Sequence, residues 1–241
     1  MPNYRWLVEI SGSAAAEHVL YAFPHAGAGA AAVKKLCRAL GDSCQTVAVR
    51  LPGRESRMDE EPITDLARLC DRLAEQITAH AGQRRIVLYG HCGGGVIAYE
   101  TARRLPARTL RHLVVSAQQA PDRIPPVESW RLPEDEFLAQ VARDGYLPRE
   151  ILDQPELREL VLPALRADYQ AIECHVSAMD ALGAPVLALA GTQDRSVAVD
   201  DVVAWSRLTT AGFRLELIPG GHNLLLDRSA EVAEAVRPVF S

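Results

Sequence analysis

The sequence has no apolar run approaching the ~20 residues that a helix needs to cross a bilayer. Its start, MPNYRWLVEISGS, lacks the charged n-region and apolar stretch of a secretory signal. A soluble, cytoplasmic protein with no membrane partner is expected. There is no excess of positive charge either: 26 Lys and Arg stand against 31 Asp and Glu, a net charge of −5. That balance argues against a nucleic-acid binder, which must neutralise phosphates. The five cysteines (Cys37, Cys44, Cys70, Cys92, Cys174) are odd in number and contain no C-x-x-C pair, so neither a disulfide framework nor a zinc ribbon is suggested. Seven histidines are scattered singly without H-E-x-x-H spacing, and no metal is expected. Internal repeats and low-complexity tracts are also missing.

What is present is an ordinary globular composition, 48% hydrophobic and 24% charged over 241 residues, enough for one large domain or two small ones. Short β-type apolar runs at 18–23 (HVLYAF), 45–50, 85–89, 111–117, 185–190 and 213–218 alternate with helical patterns at 31–41, 64–80, 94–105, 199–208 and 227–238. This alternation is the signature of an α/β domain with a mostly parallel sheet, here expected to be doubly wound. Residues 121–183 break it. Helical spacing in 132–143 and in 155–175, around Pro163, exceeds what one crossover requires. The expected organisation is a single domain, 1–241, with its core at about 1–120 and 184–241 and an inserted helical lid at about 121–183. Short, proline-punctuated helices outside the sheet make that lid the expected mobile part.

The strongest chemical signal is Gly90-His91-Cys92-Gly93-Gly94, between a buried strand and a helix. It has the G-x-C-x-G form of a nucleophile elbow with cysteine in the usual serine slot. A tight strand-to-helix turn pushes the side chain out at a helix N-terminus, whose N–H groups and dipole favour thiolate and oxyanion alike. A buried, inert cysteine in a glycine-rich turn is the competing reading. FPHAGAG (23–29) follows the first clear strand and can set the Ala26 N–H opposite that of Gly93, making an oxyanion hole; neither G-x-G-x-x-G nor a Walker motif supports a phosphate loop. In α/β-hydrolases the acid and then the histidine follow the nucleophile, at carboxyl ends of strands. Asp194, after strand 185–190, and His222, after strand 213–218, meet that order. His222 would take the Cys92 proton and Asp194 would orient the imidazole. Asp122 is a rival acid. Cys37, Cys70 and Cys174 read as small core residues.

With these segments in order, FPHAGAG, LPGRE (51–55), GHCGGG (90–95), LPALRADY (162–169), AGTQD (190–194) and GGHNLLL (220–226), the chain resembles the type II thioesterases of polyketide and nonribosomal peptide assembly lines, within the α/β-hydrolase superfamily. The resemblance runs from about residue 20 to the end. It implies Cys92 as nucleophile, Asp194 as acid, His222 as base, Ala26 and Gly93 as oxyanion donors, and residues 121–183 as a mobile lid beside a phosphopantetheine channel. The implied partner is an acyl or peptidyl carrier protein; no cofactor is called for, and a monomer is expected.

Four positions depart from the family: Cys92 for serine, Gly93 for a larger residue such as methionine, Arg195 for proline and Asn223 for an aromatic. Gly93 is expected to widen the space over the nucleophile while keeping its N–H. Arg54 is a candidate for a cofactor phosphate, ADY (167–169) for a helix anchor, and Arg103, Arg104, Arg108 and Arg111 for a carrier-docking patch. The expected activity is hydrolysis of carrier-bound acyl thioesters through an acyl-cysteine. The alternatives are an acyltransferase or cyclase that passes the acyl group to an amine or hydroxyl, and an inactive binding partner.

Overall fold

The computed structural model describes residues 5–106, 108–143 and 153–241. Its strands are β1 Leu7–Ser11, β2 His18–Phe23, β3 Gln45–Val49, β4 Arg85–His91, β5 Leu110–Ser116, β6 Val186–Gly191 and β7 Phe213–Ile218. They form one sheet in the order β1-β3-β2-β4-β5-β6-β7. β1 is antiparallel to β3, with Leu7 opposite Val49, and every other pairing is parallel. The sequence pattern misses β1 because only Leu7 of its five residues is fully buried, so the apolar run that marks an interior strand is absent there.

The inner strands are buried on both faces, and their side chains alternate between two cores. Val19, Tyr21 and Phe23 of β2 point to one, Leu20 and Ala22 to the other; Ile86 and Leu88 of β4 divide from Val87 and Tyr89 in the same way. The first core is covered by α2 (Leu66–Ala81) and α3 (Gly93–Ala102), the second by α1 (Lys34–Leu40) and α8 (Ser229–Val236). α2 shows why: Leu66, Leu69, Cys70, Leu73 and Ile77 recur at helical spacing on one stripe, and Asp65 caps its start by accepting the Arg68 N–H at 3.1 Å. The expected helix at 199–208 is a short α6 (Val199–Val203) that tightens into a 3₁₀ turn. The one expected at 227–238 is divided between α7 (Leu224–Asp227), α8 and a final 3₁₀ turn containing Pro238, whose ring nitrogen has no hydrogen to donate.

Between β5 and β6 lie α4 (Glu134–Arg143) and α5 (Pro155–Glu173). α5 runs unbroken through Pro163. Phe137, Leu138 and Val141 of α4 meet Leu165 of α5 in a small core of their own, with Phe137 and Tyr169 edge to face at 5.1 Å. α5 is also pinned to the rest of the molecule. Asp168, on its buried face, takes both arms of the Arg54 guanidinium (2.7 and 2.8 Å) and the Gly27 N–H (2.7 Å), while Arg54 donates to the Ala28 carbonyl at 3.1 Å. ADY therefore does anchor a helix. Arg54 is buried in that pair and is not offered to a phosphate.

Removing one partner of a buried ion pair leaves the other charge uncompensated, at a cost of about 3–5 kcal/mol. Arg54→Ala should lose that much stability in urea denaturation, and Arg54→Met/Asp168→Leu should lose less. A single variant as stable as the parent would show that the pair does not hold α5.

Candidate active site

β4 ends at His91 and α3 begins at Gly93, which leaves Cys92 to make the turn alone, at φ 51° and ψ −136°. A side-chain-bearing residue in that region costs about 1–3 kcal/mol and persists only where its surroundings fix it. Here the Cys92 N–H donates to the Ser116 carbonyl at 2.9 Å, and the Cys92 carbonyl accepts from the Gly95 N–H at 2.7 Å. The surrounding chain is too close for side chains: a Cβ at Gly90 would lie 2.3 Å from the Gly94 carbonyl oxygen, and one at Gly94 2.2 Å from that of Pro24. The glycines two residues either side of Cys92 are thus required by contact. All ten residues of α3 are buried, so its N-terminal N–H groups open onto the site from within the core.

Asp194 follows β6 and His222 follows β7. The His222 Nδ1 lies 2.8 Å from the Asp194 Oδ2, and the Asp194 Oδ1 accepts the N–H groups of Ser196 (2.8 Å) and Val197 (3.0 Å). Burial works against the Asp194 charge, but the bonds from His222, Val197 and Ser196 outweigh it and lower its pKa. An ionised carboxylate only accepts, so Nδ1 carries the hydrogen and donates it. Burial also disfavours the charged His222, yet its hydrogen bonds to Asp194 and to Cys92 prevail and raise its pKa. The structure thus brings Cys92, His222 and Asp194 together. Asp122 is elsewhere engaged, 2.5 Å from the Arg207 Nη2.

Two histidines not singled out by the sequence reading surround this group. Burial drives the His25 pKa down to about 3, helped by the charges of His222 and Arg54. Burial likewise holds His91 well below its usual range, with its Nδ1 3.0 Å from the Ser116 Oγ. Both stay neutral, so a positive charge in this cluster belongs to His222. The clue lay in their places inside FPHAG and GHCGG, each one residue from a group expected to act.

Ala26 and Gly93 adjoin one another: a Cβ built on Gly93 would sit 3.8 Å from the Ala26 Cβ and 4.0 Å from its nitrogen. The same built atom would be 2.6 Å from the Ile172 Cδ1, so the space expected to open at Gly93 is occupied by α5. Cys92, His222, Gly93 and Ala26 share a cavity of about 670 Å³ with Ile172 and Gln118. Among the other cysteines, Cys37, Cys44 and Cys70 are buried, and burial pushes each thiol up to about 12, which leaves them inert. Cys174 is exposed, contrary to the core role expected of it, because it lies just past the end of α5. Of the arginines after α3, Arg103 and Arg104 are tied to Glu100, Asp180 and Asp71, and Arg111 reaches the Ser241 carbonyl. Arg108 is exposed, and among the described residues it makes no ion pair. Among the described residues no three His, Cys, Asp or Glu side chains form a metal-binding group, and no helix is long and apolar enough to cross a membrane.

Residues 18–240 match the family described as thioesterase domain. Thioesterase PikA5 of Streptomyces venezuelae is 33% identical over 221 residues, covering 90% of this chain and 79% of its own. The type II thioesterase BorB, from the borrelidin biosynthetic cluster, superimposes with a TM-score of 0.87 at 30% identity, covering 98% of both chains. The thioesterase RedJ, from the prodiginine pathway of Streptomyces coelicolor, gives 0.87 at 27% identity, covering 95% of this chain and 88% of its own.

Asp194→Asn removes the negative charge that favours the imidazolium while leaving His222 as buried as before. The His222 titration midpoint, followed by NMR, should therefore fall relative to the unmodified protein. A midpoint that did not move would mean that Asp194 does not set the charge of the ring.

Proposed function

The chain belongs to the thioesterase family and has its α/β-hydrolase fold, and from that premise we propose that it cleaves acyl thioesters on the phosphopantetheine arm of an acyl or peptidyl carrier protein through a Cys92–His222–Asp194 triad. Its family and its likeness to type II thioesterases, one of them (YbtT) from the NRPS/PKS pathway of yersiniabactin, make it a thioesterase of that biosynthetic kind. The observation that carries the finer reading is the thiol at a positive-φ turn, hydrogen-bonded to a histidine whose other nitrogen is fixed on a buried carboxylate.

In the first step the Cys92 Sγ attacks the thioester carbonyl and its proton passes to the His222 Nε2. The Ala26 and Gly93 N–H groups receive the developing oxyanion. Collapse expels the pantetheine sulfur, which takes the proton from His222, and leaves an acyl-cysteine. One thioester has been exchanged for another, so this step is nearly neutral in energy and only its barrier needs lowering. Water that gives its proton to His222 then attacks the acyl-cysteine; the C–S bond breaks, the Cys92 sulfur takes the proton back from His222, and the acid departs. The scheme calls for no cofactor. Residues about 121–183, of which 144–152 lie outside the described residues, serve in it as the lid over the channel, on a single domain whose core is about 1–120 and 184–241.

A second reading follows from the sulfur itself. An acyl-cysteine is more reactive toward amines than a serine ester, so the acyl group would pass to an amine or hydroxyl, as an acyltransferase or cyclase requires.

Incubation with an acyl-pantetheine thioester should give a mass increase that maps to Cys92, and Cys92→Ala should abolish turnover with the fold intact. Near-normal turnover in that variant would remove Cys92 from the reaction. If transfer is the true activity, Cys92→Ser should shift product from amide or cyclic compound toward free acid in the presence of candidate amines. A constant product ratio, with hydrolysis undiminished in the serine form, leaves hydrolysis as the function.

A further inference from the structure

α5 meets the site along one stripe. Leu165, Asp168 and Ile172 are spaced by three and four residues and so share a helix face. Each is seated on a glycine or its N–H. A Cβ at Gly27 would lie 2.7 Å from the Leu165 Cδ1; the Gly27 N–H is held by Asp168; a Cβ at Gly93 would lie 2.6 Å from the Ile172 Cδ1. Neither position has room for a side chain as α5 now lies. Ile172 is therefore packed into the niche next to Gly93, within the same few ångströms as the Ala26 nitrogen.

That niche adjoins the pair of N–H groups assigned to the carbonyl oxygen, so the first substituents on the carbonyl carbon come up against the Ile172 terminal methyl. The methyl is the free end of the side chain and can turn about χ2, but the stem behind it is held. Ile172 packs against the main core, its branched Cβ restricts χ1, and the helix that carries it is fixed one turn earlier by the Arg54 fork on Asp168.

We propose that Ile172, admitted by the absence of a side chain at Gly93, is a specificity-determining residue that favours acyl groups unbranched at the carbon next to the thioester carbonyl and disfavours α-branched ones. The proposal rests on the thioesterase reading of this site. A methyl group more or less in a pocket changes kcat/KM by roughly 10–200-fold, which sets the size of the effect.

The test compares propionyl- and 2-methylpropionyl-pantetheine in the full chain. The unmodified protein should prefer propionyl, and Ile172→Ala should raise the 2-methylpropionyl to propionyl ratio of kcat/KM by roughly tenfold or more. Gly93→Ala keeps the N–H but collides with Ile172, so it should lose activity and thermal stability. Both should return in part in Gly93→Ala/Ile172→Ala, a rescue that a merely solvent-shielding Ile172 would not produce. An unchanged ratio in Ile172→Ala with turnover intact, or a double variant no better than Gly93→Ala, overturns the inference alone. Failure of the unmodified protein to cleave either thioester, or any longer acyl-pantetheine, overturns the thioesterase reading and this inference with it.

Discussion

The bond between Arg54 and Asp168 joins three parts of the chain that no sheet hydrogen bond connects: the loop after β2, the loop after β3 and the helix α5. Desolvating two charges is costly, and their mutual attraction roughly offsets it, so the pair adds little to net stability when intact. Its effect is geometric. A guanidinium fork presents its donors in a fixed plane, so both carboxylate oxygens, and with them the rotation of α5 about its own axis, have one satisfactory arrangement. The Ala26 loop is drawn into the same arrangement through Gly27 and Ala28. The roof of the cavity and one side of its polar floor therefore meet at this pair and the hydrogen bonds around it.

The opposite side is set by the sheet. Cys92, Asp194 and His222 stand after β4, β6 and β7, and the spacing between those strands brings the three side chains within reach. Around them the fold manages charge by exclusion. His25 and His91 are too deeply buried to ionise beside His222, whereas Asp194 is ionised because three donors address it. An imidazolium at His222 thus meets one negative partner, Asp194, and no positive neighbour on either flanking ring.

Much of this was legible in the residues. The inner strands announce themselves as apolar runs because they are buried on both faces, and G-x-C-x-G is readable because close contact with carbonyl oxygens leaves only glycine at Gly90 and Gly94. The order of Asp194 and His222 after the elbow followed from the strands that carry them. What was not legible depends on partners far apart in the chain. β1 has no apolar run because it is a half-exposed edge, and α5 continues through Pro163 because its tertiary packing compensates a poor helix former. Gly93 suggested an open space, and only Ile172, on another element, shows that the space is filled. A signal existed for Asp168: it is a carboxylate on the apolar stripe of Leu165 and Ile172, where an unpaired charge would be intolerable.

Cys92 follows β4 whereas Asp194 and His222 follow β6 and β7, and that separation along the chain has a temporal consequence. A ribosome adding about 5–20 residues per second exposes the thiol of Cys92 on the order of ten seconds before His222 is joined. In that interval β2, β3 and β4 can pair, since they are neighbours in the sheet and close in sequence. The strand that precedes the histidine lies at the far edge of the sheet and is synthesised after the other six. A nascent chain that has passed Cys92 but not reached His222 therefore carries the thiol without the imidazole that takes its proton in the proposed scheme.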